Sequence, residues 1–207
     1  MEPIVVNHPL VQTRLTVLRD ADTDTETFRR AMRDVSAFLA FEATRSLPVA
    51  ACRVRTPLEE TDGVVLSDPP PAVVSILRAG NGLLEGMLAA IPSASVGFLG
   101  MARNEETHEP EAYYAKLPAR MSERHVFLVD PMLATGGSAC DALQHLLALE
   151  PLSVTFVCLV AAPEGVSRIA QAYPSVTVVT AAVDRQLDEN AYIVPGLGDA
   201  GDRLYGT

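Results

Sequence analysis

From Ala72 onward, short apolar runs alternate with segments whose apolar positions recur at helical spacing. The runs cover 72–77, 95–101, 125–129, 154–160 and 176–183. They are apolar almost throughout, as expected for strands covered on both faces of a parallel sheet. Helices are expected over 83–90, 138–149 and 164–172. The first seventy residues read differently. Phe28, Met32, Val35 and Leu39 fall at helical intervals, Thr23 and Glu26 have capping-box spacing, and Pro48 closes the helix near Arg45. A strand over 49–55 is expected to pair with 63–66, with Thr61, Asp62 and Gly63 as the turn. The polar stretch 104–118 should leave the sheet as a long loop or β-arm.

The 207 residues fit one domain, with a core at about 70–185, and the chain is long enough to bury a core without disulfide or metal staples. Hydrophobic residues at 48% and charged residues at 20% exclude a disordered chain. The net charge of −10 and the lack of a basic stripe argue against nucleic acid as a partner. An anionic ligand would then need a local site of amides and a few Arg. No apolar run reaches the ~20 residues of a membrane span, and the N-terminus lacks a signal-peptide pattern. Cys52, Cys140 and Cys158 have no CxxC spacing, so reduced, buried thiols in a cytoplasmic protein are expected. His8, His108, His125 and His145 show no metal-ligand spacing.

The chemistry concentrates in VFLVDPMLATGGSA, residues 126–139. A buried strand ends at Asp130, a short loop follows, and a helix is expected from Ser138. Ligands of open parallel sheets sit outside the strand carboxyl ends, where Asp130 lies. Gly136 and Gly137 permit close backbone approach and positive φ. Their amides, with the helix N-terminus behind them, make an anion cradle, and Thr135 and Ser138 add hydroxyl donors. Asp130 can accept hydrogen bonds from sugar hydroxyls, so the ligand implied is a sugar phosphate. A plain strand-to-helix turn is the bland alternative for a bare Thr-Gly-Gly-Ser. A Walker loop is excluded by the missing Gly-Lys pair, and Gly80-Asn81-Gly82 lacks the third glycine of a dinucleotide loop. Arg78, between an apolar strand and that Gly-rich turn, can clamp a pyrophosphate. Arg103 ends another run and has an ion pair with Glu105 or Glu106 as its alternative role. Asp184 and Arg185 follow the last run and are weaker candidates.

VDPMLATGGS resembles the phosphoribosyl-pyrophosphate (PRPP) loop of type I phosphoribosyltransferases, and its Asp-Pro pair resembles the uracil phosphoribosyltransferase family. Further segments agree with that family: HPLVQTRLTVLRD (8–20), ILRAGNGLLEGM (76–87), RNEETHEPEAYYAKLP (103–118), LVAAPEG (159–165) and YIVPGLGDAGDRLYGT (192–207). Ala102 departs from the aromatic expected before Arg103. The resemblance implies the α/β type I fold: a mainly parallel central sheet flanked by helices, a β-arm, and a C-terminal hood. The hood would comprise 186–207 with the N-terminal helices. The implied reaction is uracil plus PRPP giving UMP and pyrophosphate, with Mg²⁺. Arg78, Arg103, Asp130 and Asp199 would be catalytic. PRPP would meet these together with Pro131, Met132, Leu133, Ala134, Thr135, Gly136, Gly137 and Ser138. Uracil would meet Ile193, Gly198, Asp199 and Ala200. No protein metal ligand is implied, the ion travelling with PRPP. A homodimer or higher oligomer and GTP activation are further expectations of the resemblance. The rivals are a phosphoribosyltransferase for another base, a nucleotide-sensing RNA-binding regulator on the same fold, and a non-catalytic nucleotide-binding module.

Overall fold

Alternate residues of the central strands face opposite helical layers, which is why those strands read as unbroken apolar runs. The computed structural model describes residues 2–103 and 110–207 and, for 101–103 and 110–113, the backbone alone. Strands β1 (Ile4–Val5), β4 (Ala72–Leu77), β5 (Ser95–Arg103), β6 (Pro110–Lys116), β7 (His125–Val129), β8 (Met132–Leu133), β9 (Ser153–Ala161) and β10 (Thr177–Val183) form one sheet. Its order is β1-β10-β9-β7-β4-β5-β6, with β8 added alongside β9. Every pairing in it is parallel except β5 with β6.

Val73, Phe127, Val157 and Val179 pack against α1 (Pro9–Arg19), α2 (Thr25–Ala43) and α3 (Asn81–Ala90). Val74, Leu128, Phe156 and Val178 pack against α4 (Gly137–Leu147) and α5 (Pro163–Ala172) on the other face. Full burial of each such large side chain contributes about 1.5–3 kcal/mol relative to leaving it exposed. The chain leaves β4 toward β5 on one side and returns to β7 on the other, while α3 and α4 lie on opposite faces. The crevice between the carboxyl ends of β4 and β7 is therefore the topological switch point.

Two short hairpins complete the chain. β11 (Gln186–Leu187) pairs with β12 (Ile193–Val194) ahead of α6 (Ala200–Tyr205). β2 (Val49–Arg55) pairs with β3 (Glu60–Leu66) outside the main sheet. The turn between β2 and β3 is not at Thr61–Gly63, as the Asp-Gly signal suggested. It spans the residues after Arg55, where the Thr56 hydroxyl accepts from the amides of Leu58 and Glu59. Gly63 instead sits within β3, opposite Cys52. Cys52 is half-exposed in this hairpin, whereas Cys140 and Cys158 are buried, and all three are free thiols. The cap of α2 is Asp24, one residue past Thr23, because its carboxylate accepts from the Thr27 amide at 2.8 Å. The expected β-arm corresponds to β6 and its approach, with 104–109 outside the described residues.

Candidate active site

The segment after β7 is stitched to β9 rather than hanging free. The Asp130 amide donates to the Val157 carbonyl at 3.2 Å, and Pro131 and Leu133 carbonyls accept from Leu159 and Ala162 at 2.9 and 2.8 Å. Met132 and Leu133 form the short strand β8, so half of the loop is held by a ladder. The chain then turns at Gly136, whose φ of +76° makes it the N-cap of α4 without a side-chain cap. Gly137 and Ser138 occupy the first helical turn. Positive φ therefore belongs to Gly136 alone, not to both glycines, and Ser138 does not cap the helix. The Gly137 amide makes only a long contact to the Thr135 hydroxyl, at 3.4 Å, so the first-turn amides are the donors an anion would use. From behind, Gly165 of α5 presses so close that a Cβ there would lie 2.5 Å from the Ala134 carbonyl.

Asp130 follows β7 directly, at the switch point. Part of its surface stays open, yet the protein packed around the carboxyl desolvates it. Burial pushes its pKa up to about 7, and the Met132 amide only partly offsets this. The carboxyl is thus poised to be ionised by a ligand that offers hydrogen-bond donors or cations.

Arg78 stands across the switch point, just after β4, and the Leu77–Arg78 peptide is cis. Its guanidinium lies 5.9 Å from the centroid of the Tyr205 ring, and the Tyr205 hydroxyl donates to its carbonyl at 2.9 Å. Arg78 is exposed, and no ion pair to it occurs among the described residues. Gly80 follows where a Cβ would lie 2.5 Å from both the Ile76 and Val129 carbonyls, so the turn fits between β4 and β7 only as glycine. Arg103 is the last residue of β5 and pairs with Pro110 of β6. The side chains of Arg103 and Ala102 lie outside the described residues, as do Glu105 and Glu106.

The C-terminal segment folds over these strand ends. A cavity of about 380 Å³ opens between Met132 and Ala134 of the loop, Ala79 beside Arg78, and the hood residues Ile193, Gly198 and Ala200. The structure thus brings four expected base-site residues, Ile193, Gly198, Asp199 and Ala200, against the end of the phosphate-type loop. Thr135 to Ser138 continue from that wall into α4 and do not line the cavity themselves. Asp199 has a second task, because its Oδ1 accepts from the Asp202 amide at 2.9 Å and caps α6.

Residues beyond the four expected base-site positions also shape the site. Asn190, Ala191 and Tyr192 form the tip of the β11–β12 hairpin and border the cavity. Asp188 Oδ1 fixes that tip by accepting from the amides of Asn190 and Tyr192 at 2.9 and 2.8 Å. Asp184 does not line the cavity; it is buried and forms a forked ion pair with Arg19 at 2.6 and 2.8 Å. Arg203 reaches back to the carbonyls of Leu18, Asp20 and Leu197. Apart from the segment 8–20 as a whole, nothing in the sequence marked Arg19. Among the described residues, no group of three or more His, Cys, Asp or Glu is placed to hold a metal ion.

Residues 5–207 match the family model described as uracil phosphoribosyltransferase. The uracil phosphoribosyltransferase of Leifsonia xyli is 52% identical over 205 residues, covering 98% of each chain. A solved structure of a protein from Aquifex aeolicus superposes with a TM-score of 0.93 at 39% identity, covering 100% of this chain and 99% of that one. The adenine phosphoribosyltransferase of Trypanosoma brucei shares the fold, with a TM-score of 0.60 at 14% identity over 95% of this chain and 87% of its own. The Asp130–Ser138 loop, the hood that closes over it, and a match running nearly from end to end lead to one conclusion: this chain belongs to the uracil phosphoribosyltransferase family.

Proposed function

We propose that this protein transfers the phosphoribosyl group of PRPP to uracil, giving UMP and pyrophosphate. One observation carries the reading: a single cavity joins the end of the phosphate-type loop to a glycine-rich hood. The relatives that match over almost the full chain bear the same name.

In this reading the amides of Gly136 and Gly137, with the hydroxyls of Thr135 and Ser138, hold the 5′-phosphate. Pro131 to Ala134 shape the path from there to the sugar. Ionised Asp130 accepts from the ribose hydroxyls, and Asp199 approaches PRPP from the hood. Arg78 and Arg103 stabilise the leaving pyrophosphate by charge-assisted hydrogen bonds. Uracil presents an acceptor, a donor and an acceptor along one edge. Backbone groups of Ile193, Gly198 and Ala200 can match that order, since each peptide offers one donor and one acceptor. Anchoring the phosphate on Thr135–Ser138, just beyond the Met132–Ala134 wall of the cavity, and the base against the hood brings N1 to the anomeric carbon, so binding energy goes into orientation. Bond breaking leaves a cation-like sugar and a charged leaving group, and no covalent nucleophile is needed. Among the described residues no cluster is placed to hold Mg²⁺, so the ion would come with PRPP as part of the substrate and would supply neutralisation of the leaving-group charge.

A pyrophosphate-release assay with Mg²⁺–PRPP and uracil, cytosine, orotate or hypoxanthine tests the reading. Release with uracil alone supports it; release with another base and not uracil overturns it. The same reading takes the N-terminal helices with 186–207 as the base-binding hood of one domain working in the cytoplasm. A second copy of the chain is the proposed partner of the β2–β3 hairpin, where Val49, Val64 and Val65 are more than half exposed. Sedimentation of a Val64→Lys variant checks this, with a shift toward monomer expected. GTP activation belongs to the same reading, and initial rates with and without GTP test it.

A further inference from the structure

We infer that the largely buried Arg19–Asp184 pair is a positioning device for base recognition: it grips both hydrogen-bonding groups of Gly196 and so sets the hood loop against the cavity. The inference rests on the proposed function only in taking the hood as the base site.

Gly196 is the fixed point of that loop. Its φ is +61°, and a Cβ would overlap the Ile193 carbonyl, so no other residue can take this turn unstrained. Its amide donates to Asp184 Oδ2 at 2.9 Å, and its carbonyl accepts from Arg19 Nη1 at 2.7 Å. The two grips belong to one forked ion pair, whose side chains are 25% and 5% exposed.

Both partners are themselves anchored. Arg19 is the last residue of α1, where a cation also suits the helix dipole. Asp184 follows β10 directly, and its amide donates to the Ala161 carbonyl at 2.8 Å. The next carbonyl in the loop, Leu197, accepts from Arg203 at 2.9 Å. Arg203 stacks 4.4 Å above the Phe28 ring and also binds the carbonyls of Leu18 and Asp20 at the end of α1. Gly198 and Asp199, which follow these grips, and Ala200, the first residue of α6, line the cavity. α1 gives the cavity no lining residue, yet its C-terminus fixes the loop that does.

A buried ion pair is a poor source of net stability, because desolvation offsets most of the attraction. Its use here is directional. A carboxylate with two oxygens and a planar guanidinium can satisfy a donor and an acceptor on one residue at once, which an apolar pair of equal volume cannot.

The test is calorimetric titration of wild type, Asp184→Asn and Arg19→Lys with UMP and with ribose 5-phosphate, plus KM for uracil and PRPP. Ribose 5-phosphate lacks the base and reports whether each variant keeps a folded phosphate site. Asp184→Asn should weaken UMP by roughly 10- to 100-fold, the loss expected for a charged hydrogen bond, with ribose 5-phosphate little changed. The uracil KM should rise while the PRPP KM holds. Arg19→Lys should show the same split more weakly, since an ammonium keeps the charge but not the fork. Parallel weakening of both ligands in a folded variant, or no change in either, overturns the inference. If Asp184→Asn fails to fold, Arg19→Lys decides alone. If wild type uses a base other than uracil, the proposed substrate falls, whereas the split between its nucleotide and ribose 5-phosphate still judges the pair.

Discussion

Tyr205 and Arg78 are joined twice: the tyrosine hydroxyl donates to the Arg78 carbonyl at 2.9 Å, and the Arg78 guanidinium lies 5.9 Å from the tyrosine ring centroid. The end of α6 thereby holds the turn after β4, so hood and proposed pyrophosphate site are one mechanical unit. Arg78→Ala should weaken PRPP and pyrophosphate by roughly 2–4 kcal/mol while leaving UMP nearly unaffected, because UMP has no pyrophosphate. Arg78→Lys should recover part of the loss. Titration with the three ligands checks this. UMP weakened as much as PRPP, in a folded variant, would remove Arg78 from the leaving-group site.

The two loop glycines should behave differently. Gly136 has φ +76° and a Cβ there would meet the Gly165 carbonyl at 3.3 Å, whereas at Gly137 the nearest atom is 3.6 Å away and φ is not positive. Gly136→Ala should cost about 1–2 kcal/mol of stability and raise the PRPP KM. Gly137→Ala should change stability by less than about 1 kcal/mol. Melting curves and KM for PRPP in both variants decide; equal effects would contradict the assigned turn.

The Asp130 carboxyl titrates at about 7 in the folded chain, raised from 3.8 by desolvation. A raised folded-state value means that the protonated form favours folding. This contribution is complete below about pH 4, declines as pH rises through about 7, and is gone above that. Asp130→Asn should therefore be more stable than wild type near pH 8, with the difference shrinking toward about pH 5. PRPP binding should tighten in wild type as Asp130 ionises and change less with pH in the variant, which still reports titration of PRPP itself. Melting and titration over this range test both statements, and identical pH profiles would show that Asp130 does not ionise on binding.

In the proposed reading, base choice follows from the backbone lining of the hood. Cytosine places an amino donor where uracil has O4, and a buried donor facing a donor costs roughly 1–3 kcal/mol. Cytosine turnover should fall roughly 10-fold or more below that of uracil. Equal kcat/KM for the two bases would mean that Ile193, Gly198 and Ala200 do not read that edge.

The sequence alone determined the parallel core, because both faces of β4, β7, β9 and β10 are covered and their residues must be apolar in succession. It also determined the Asp130–Ser138 loop, since strand, glycine turn and helix are local and contiguous. It misplaced what several local signals could satisfy. The Asp62-Gly63 pair suggested a turn, but the Thr56 hydroxyl supplied a better one earlier, and Asp24 outcompeted Thr23 as a cap. Only the tertiary structure decided how the base end of the cavity is held. Arg19 and Asp184 are 165 residues apart, and the three residues of Arg19, Asp184 and Gly196 meet only because α1 packs across β10 beneath the hood. Helical and strand periodicities report which face of an element is buried. They say nothing about which charged residue, on which distant element, will close over a given carbonyl, because that depends on how whole elements pack.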